Sequence, residues 1–120
     1  MTDPAQRSRR IPRVFFGTFH SRARGGDGHT GNISERGLAF RTDTPPLAGD
    51  WTEVVLSRPW QGELRAIAVS GVVRWSTALT SGPNTRFSGF GLDIQDCPES
   101  YRALFEHECA RAERPPKPHG

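Results

Sequence analysis

Residues 64–75 read L-R-A-I-A-V-S-G-V-V-R-W, and this stretch decides the fold class. Ile67, Val69, Val73 and Trp75 fall on one side of an extended chain and Ala66, Ser70 and Arg74 on the other, the period-two pattern of a strand with one buried face. Gly71 in its middle predicts a bulge or bend of the kind that curves a small barrel. The same signal recurs on both sides of this stretch. Val14–Phe19 (V-F-F-G-T-F) is a β-branched and aromatic run, and Asn32–Ser34 ends one strand. Gly37–Thr42 forms the next, with Leu38 and Phe40 opposite Ala39 and Arg41. Trp51–Ser57 is a further strand, broken at Pro59–Gly62, and Phe87–Ile94 closes the set with Phe90, Leu92 and Ile94 on one face. Ser21–Gly31 is read as a glycine-rich hairpin connection or mobile loop, Asp43–Asp50 as a turn and Ala78–Arg86 as a polar loop. About six strands result, with hairpin-like antiparallel connections, because no helix intervenes to make a parallel crossover.

The chain ends differently. Asp96 and Glu99 resemble a capping box with Pro98 in the first turn, and Tyr101, Leu104, Phe105 and Cys109 form a helical stripe. One amphipathic helix therefore follows the strands and lies against them. The expected organisation is a flexible basic arm over residues 1–12, one β domain with its helix over 13–112, and a disordered tail over 113–120, where R-P-P-K-P-H-G cannot continue a helix.

A chain of 120 residues with 13 Gly, 10 Pro and 34 % hydrophobic residues suits one small turn-rich β domain. Its net charge of +3 is unevenly placed: residues 1–24 hold six Arg and one Asp, whereas the rest holds ten basic and twelve acidic groups. Fifteen of the sixteen basic residues are Arg, the side chain whose planar fork grips phosphates and purine edges, although GC-rich codon usage accounts for much of that ratio. The start has no apolar core of a signal peptide, and no apolar stretch approaches membrane-spanning length, so a cytoplasmic location without membrane insertion is expected. Cys97 and Cys109, some 18 Å apart along the helix, are too distant for a disulfide and read as free thiols. Cofactor and metal are both expected to be absent.

Catalytic patterns are missing: the sequence holds no nucleophile elbow, no H-E-x-x-H and no convergent Cys/His pair, and the four histidines are scattered, so no enzyme is expected. Gly26, Gly28 and Gly31 spell G-x-G-x-x-G, but no helix follows to make a dinucleotide fingerprint. The informative segments are Arg9-Arg10-Ile11-Pro12-Arg13 and Asn32-Ile33-Ser34-Glu35-Arg36-Gly37. The first puts guanidinium groups on an arm entering a strand, where they can fold over a ligand. The second ends a strand with an amide, a hydroxyl and a glycine that lets backbone or ligand approach.

In this order and about twenty residues apart, these motifs resemble those of the PilZ domain family, bacterial receptors for the second messenger cyclic di-GMP. The family's R-x-x-x-R matches Arg9 and Arg13, and its [D/N]-x-S-x-x-G matches Asn32, Ser34 and Gly37. The similarity runs from about Arg9 to Glu108, including GVVRW, G-F-G-L-D-I and the helix after them. It implies a mainly β fold: a six-stranded antiparallel barrel with a C-terminal helix. It also implies that Arg9 and Arg13 take guanine edges and phosphates, Arg10 adds a charged contact, Asn32 and Ser34 bind the other guanine, and Gly37 keeps the surface clear. Trp75 is either a stacking platform for a base or part of the core. Asn32 keeps the acceptor oxygen of the family's commoner Asp without its charge. Ser8, just before the first motif, leaves open whether one ligand or an intercalated pair binds.

The expected protein is thus a non-catalytic receptor that passes the cyclic di-GMP signal to an unidentified downstream protein, with motility, pilus, biofilm or virulence output. Its rival is a PilZ adaptor that works by protein contact without the ligand. Binding of DNA or RNA is not expected, because aromatics are not interleaved with basic residues on adjacent strands.

Overall fold

The alternation around Gly71 does make a strand, and the computed structural model, which describes residues 10–77 and 88–113, extends it to Glu63–Thr77. In chain order the elements are β1 (Phe16–Ser21), β2 (Gly25–Ser34), β3 (Gly37–Arg41), β4 (Trp51–Trp60), β5 (Glu63–Thr77), β6 (Gly89–Asp96) and helix α1 (Glu99–Glu113). All pairings are antiparallel, and the ladder closes into a barrel in the order β1-β2-β3-β6-β5-β4, with β4 returning to β1. The expected barrel with a C-terminal helix is therefore the observed fold. The loop read over Ala78–Arg86 lies outside the described residues, as do residues 1–9 of the expected arm and the tail beyond Glu113.

Closure puts Leu38, Phe40, Val54, Leu56, Val69, Val73, Phe90 and Leu92 inside. At the centre the rings of Phe19, Phe40 and Phe90 pack with centroids 5.4 to 6.0 Å apart in tilted and edge-on arrangements. Gly71 sits at a register shift between Ser70 and Gly71, where a Cβ would run into the Asp93 carbonyl, so the expected bend is required by the approach of β6.

Three sequence readings change. Residues 25–31 are not a loop: the glycine-rich stretch is the first part of β2, paired to β1 from Phe16↔His29 to His20↔Gly25, and only residues 22–24 turn the chain. Glycine fits because a side chain at Gly28 would strike the Arg41 carbonyl and the Phe40 ring. Pro59 does not break β4 either. The strand runs through it to Trp60, and the turn is Gln61-Gly62, with φ of 51° and 80°, the left-handed pair of a two-residue hairpin. Proline is tolerated because the hairpin has passed the end of β1 there, and its missing N–H faces no neighbour. Finally, Trp75 leaves the odd face. A register shift between Val73 and Trp75 inserts one extra residue, and the indole turns to the outer surface, 38 % exposed, which excludes the core reading.

Helix α1 begins just after Pro98, whose carbonyl accepts N–H groups from Tyr101 and Arg102, while Asp96 stays in β6 rather than capping. Its stripe buries Tyr101, Leu104 and Phe105 in the barrel's core cluster. The Tyr101 hydroxyl donates to the Ser34 carbonyl at 2.7 Å, and the Gly37 carbonyl lies 3.2 Å away. This phenol ties the helix to the β2–β3 turn. Burial pushes its pKa well above the ordinary 10.0, the nearby Cys97 adds to the rise, and the hydrogen bond to Ser34 opposes it.

The folded state thus holds the Tyr101 proton more tightly than the unfolded one, so this stability is intact below pH 10 and is lost as pH rises beyond it. Tyr101→Phe leaves a buried carbonyl without its donor and should cost about 1–3 kcal/mol at neutral pH. It should also flatten the alkaline loss of stability, by up to ~1.4 kcal/mol per pH unit. Urea denaturation across pH checks both. Because the chain has one tyrosine, tyrosinate absorbance should rise only together with unfolding.

Candidate functional site

The arm enters the barrel through Ile11, an apolar residue in a basic segment. Its N–H and carbonyl exchange hydrogen bonds of 2.9 Å with Ile33 of β2, and its side chain is buried. The described end of the expected arm, Arg10–Pro12, is therefore docked on the barrel. Thr30 fixes the chain on the other side of Pro12: its buried hydroxyl donates to the Arg13 carbonyl at 2.7 Å and accepts from the Phe15 N–H at 2.8 Å.

This docking places two site candidates together. The Arg10 guanidinium donates to the Asn32 amide oxygen at 2.8 Å on the outer surface. Asn32 begins a cross-strand row that continues through Ala39 of β3 and Gly91 of β6 to Trp75 of β5. Neighbouring strands lie about 4.8 Å apart, so Asn32 and Trp75 bracket a strip roughly 14 Å wide. Its floor is low: Ala39 offers a methyl group, and Gly91 is covered by the indole itself, since a Cβ there would collide with Trp75 Nε1. The bulge that expels Trp75 from the core thus lays a flat aromatic surface opposite an amide and a guanidinium.

The remaining candidates are differently engaged. Arg13 turns toward the helix, where its Nε donates to Glu108 Oε1 at 3.0 Å and its Nη1 to the Pro12 carbonyl at 2.7 Å. Glu108 is 3 % exposed and also pairs with Arg111 at 3.2 Å, so two guanidinium groups neutralise one buried carboxylate. Ser34 is buried, and its hydroxyl donates to the Gly37 carbonyl at 3.1 Å across the turn. Gly37 is also buried; a Cβ would lie 2.8 Å from the Leu92 carbonyl, so glycine here serves the packing of β3 on β6. Asn32 and Arg10 face outward, whereas Ser34 and Gly37 build the turn that presents them. Arg9 and Ser8 lie outside the described residues.

Glu108, Thr30 and Ile11 were missed by motif reading. Glu108 had a signal, because Tyr101, Leu104, Phe105 and Glu108 are spaced as one helical face, and an acid on an apolar stripe demands a cationic partner. Ile11 had a weaker one, a lone β-branched residue between arginines. Elsewhere, burial pushes the Cys97 thiol up, with Arg102 opposing and Glu35 and Asp96 assisting, which disfavours the nucleophilic thiolate. Among the described residues no three His, Cys, Asp or Glu side chains group as metal ligands. Among them, too, no helix is long and apolar enough to cross a membrane.

Among curated proteins none matches this sequence. Among solved structures, the Bacillus subtilis inhibitor of motility (MotI/DgrA) is similar with a TM-score of 0.68 at 17 % identity, over 87 % of this chain and 49 % of that one. That likeness shows the fold, and this chain spans about half the length of that relative. The PilZ domain profile matches residues 5–111, taking in most of the arm, all six strands and most of the helix. With both motifs, the closed barrel and that match in hand, the chain belongs to the PilZ domain family.

Proposed function

We propose that this protein is a cyclic di-GMP receptor that couples the second messenger to a downstream protein. The observation that carries the reading is the outer strip bounded by Arg10 and Asn32 on one side and Trp75 on the other. Cyclic di-GMP offers two phosphodiester charges and two guanines. The guanine O6 and N7 edges suit an arginine fork, and a guanine face suits an exposed indole. Arg9 and Arg13 contribute the family's two guanidinium contacts, Arg10 a third, and Asn32 and Ser34 the amide and hydroxyl. Glu108 holds Arg13, so ligand binding through Arg13 exchanges a carboxylate for a phosphate or guanine and releases the helix from the segment that follows the arm. That exchange is the step by which the signal reaches a partner. The motility function in the name of MotI/DgrA makes motility machinery the first pathway to examine, beside pilus, biofilm and virulence outputs.

A second reading has its own support. Ser34 spends its hydroxyl on the turn and Arg13 its Nε on Glu108, an arrangement equally suited to an adaptor that works by contact without the ligand.

Calorimetric titration separates the two. The receptor reading expects saturable heat with cyclic di-GMP, little with GTP, a roughly ten- to hundredfold loss on removing either Arg9 or Arg13, about 1.5–3 kcal/mol for one charge-assisted contact, and a larger loss in Arg9→Ala/Arg13→Ala. No heat from the wild type at tens of micromolar supports the adaptor, and the fitted stoichiometry settles whether one ligand or a pair binds. Glu108→Gln should tighten cyclic di-GMP binding by a few fold, because Arg13 no longer has to leave a carboxylate. Weaker binding by that variant would mean that Glu108 positions Arg13 rather than competing for it.

A further inference from the structure

The β4–β5 hairpin stands beyond the barrel. β1 covers β4 only as far as Leu56 and β6 covers β5 only from Ser70, so Ser57–Trp60 and Glu63–Ala66 pair with each other but with no outer neighbour among the described residues. Helix α1 faces the inner side of this overhang with Ser100, Ala103, Leu104 and His107, spaced as one helical face. Between hairpin and helix lies a groove of about 630 Å³, within the range of roughly 300–1,000 Å³ that holds a ligand or several side chains. Its floor is apolar, made by Ile67, Leu104 and Ala103, and Arg58, Arg65 and His107 stand around it.

Arg58 and Arg65 are direct cross-strand partners, like charges facing each other on the side of the hairpin that meets the helix. The two guanidinium groups concentrate positive charge on this wall of the groove, which favours an acidic occupant. Glu63, on the same face, is one pair further out at the tip. The groove is also remote from the strip between Asn32 and Trp75: Ile67 and Trp75 are eight residues apart on β5, about 26 Å.

We infer that this groove docks an acidic segment of the partner protein, extended, with carboxylates on Arg58 and Arg65 and an apolar side chain over Ile67 and Leu104. The inference rests on the reading that the chain signals through a partner. A lone inorganic anion matches the arginines' charge but leaves the apolar floor wet. A nucleic-acid backbone fits the charge but not the floor. A peptide alternating acidic and apolar residues fits both, and its backbone can pair with the open hairpin edges.

The test is a randomised displayed-peptide library panned on the full chain. Selected peptides are then synthesised with a fluorophore and titrated by anisotropy against wild type and Arg58→Ser/Arg65→Ser. The expected result is enrichment of Asp and Glu alternating with apolar residues, and at least tenfold weaker binding to the double variant. Its far-UV circular dichroism and its cyclic di-GMP titration should match wild type, which separates lost docking from lost folding. Peptides without acidic enrichment, or equal binding to the variant, overturn the inference. So does a wild-type dimer in sedimentation that the double variant abolishes, since the occupant is then a second copy. Peptide binding without cyclic di-GMP heat defeats the receptor reading alone, and the reverse result defeats the docking groove alone.

Discussion

The buried Tyr101 hydroxyl is the fastening on which the rest depends. It reaches from the first half of α1 to the carbonyls that open and close the β2–β3 turn, and so joins the last element of the chain to the third strand. The turn is also held from within by Ser34 and walled by the Leu92 carbonyl, which leaves its backbone little latitude. Asn32 and the arm that pairs with Ile33 take their positions from this frame. The helix is therefore part of the site's foundation, although none of its residues belongs to either binding motif.

Charge is distributed with the same economy. Fifteen arginines and a +3 excess by themselves distinguish nothing. Glu108 gives two of those arginines a defined place. A carboxylate buried to this extent is costly unless neutralised and hydrogen-bonded, and Arg13 and Arg111 supply both from opposite ends of the chain. Removing either leaves the acid underpaired, so the contact joins arm and helix more firmly than an exposed ion pair of the same length.

The fold was legible because its strands alternate, its turns carry proline and glycine, and its helix begins after a proline. Where reading failed, tertiary pairing overrode local signals. The glycines of 25–31 look like a loop in isolation and become a strand because β1 and β3 flank them. Pro59 looks like a stop but lies where the strand has lost its outer neighbour. Trp75 kept perfect alternation with Val73 in the sequence, and only the inserted residue, fixed by pairing with β6, sends it outward. At the site, the pairing of Arg10 with Asn32 was foreshadowed by motif order. The engagement of Arg13 with Glu108 was not, because the partners are 95 residues apart.

His107 and Glu108 are adjacent on the helix, yet one borders the groove under the hairpin and the other holds the arm. A single rigid element thus borders two separate surfaces. Any tilt or rotation that favours one occupant alters the free energy of the other, and thermodynamic linkage makes that influence mutual. A protein docked under the hairpin would set the sensitivity with which the arm responds, by the same factor with which the arm's occupant sets the protein's hold. The helix is then less a messenger with a direction than a balance beam between two equilibria.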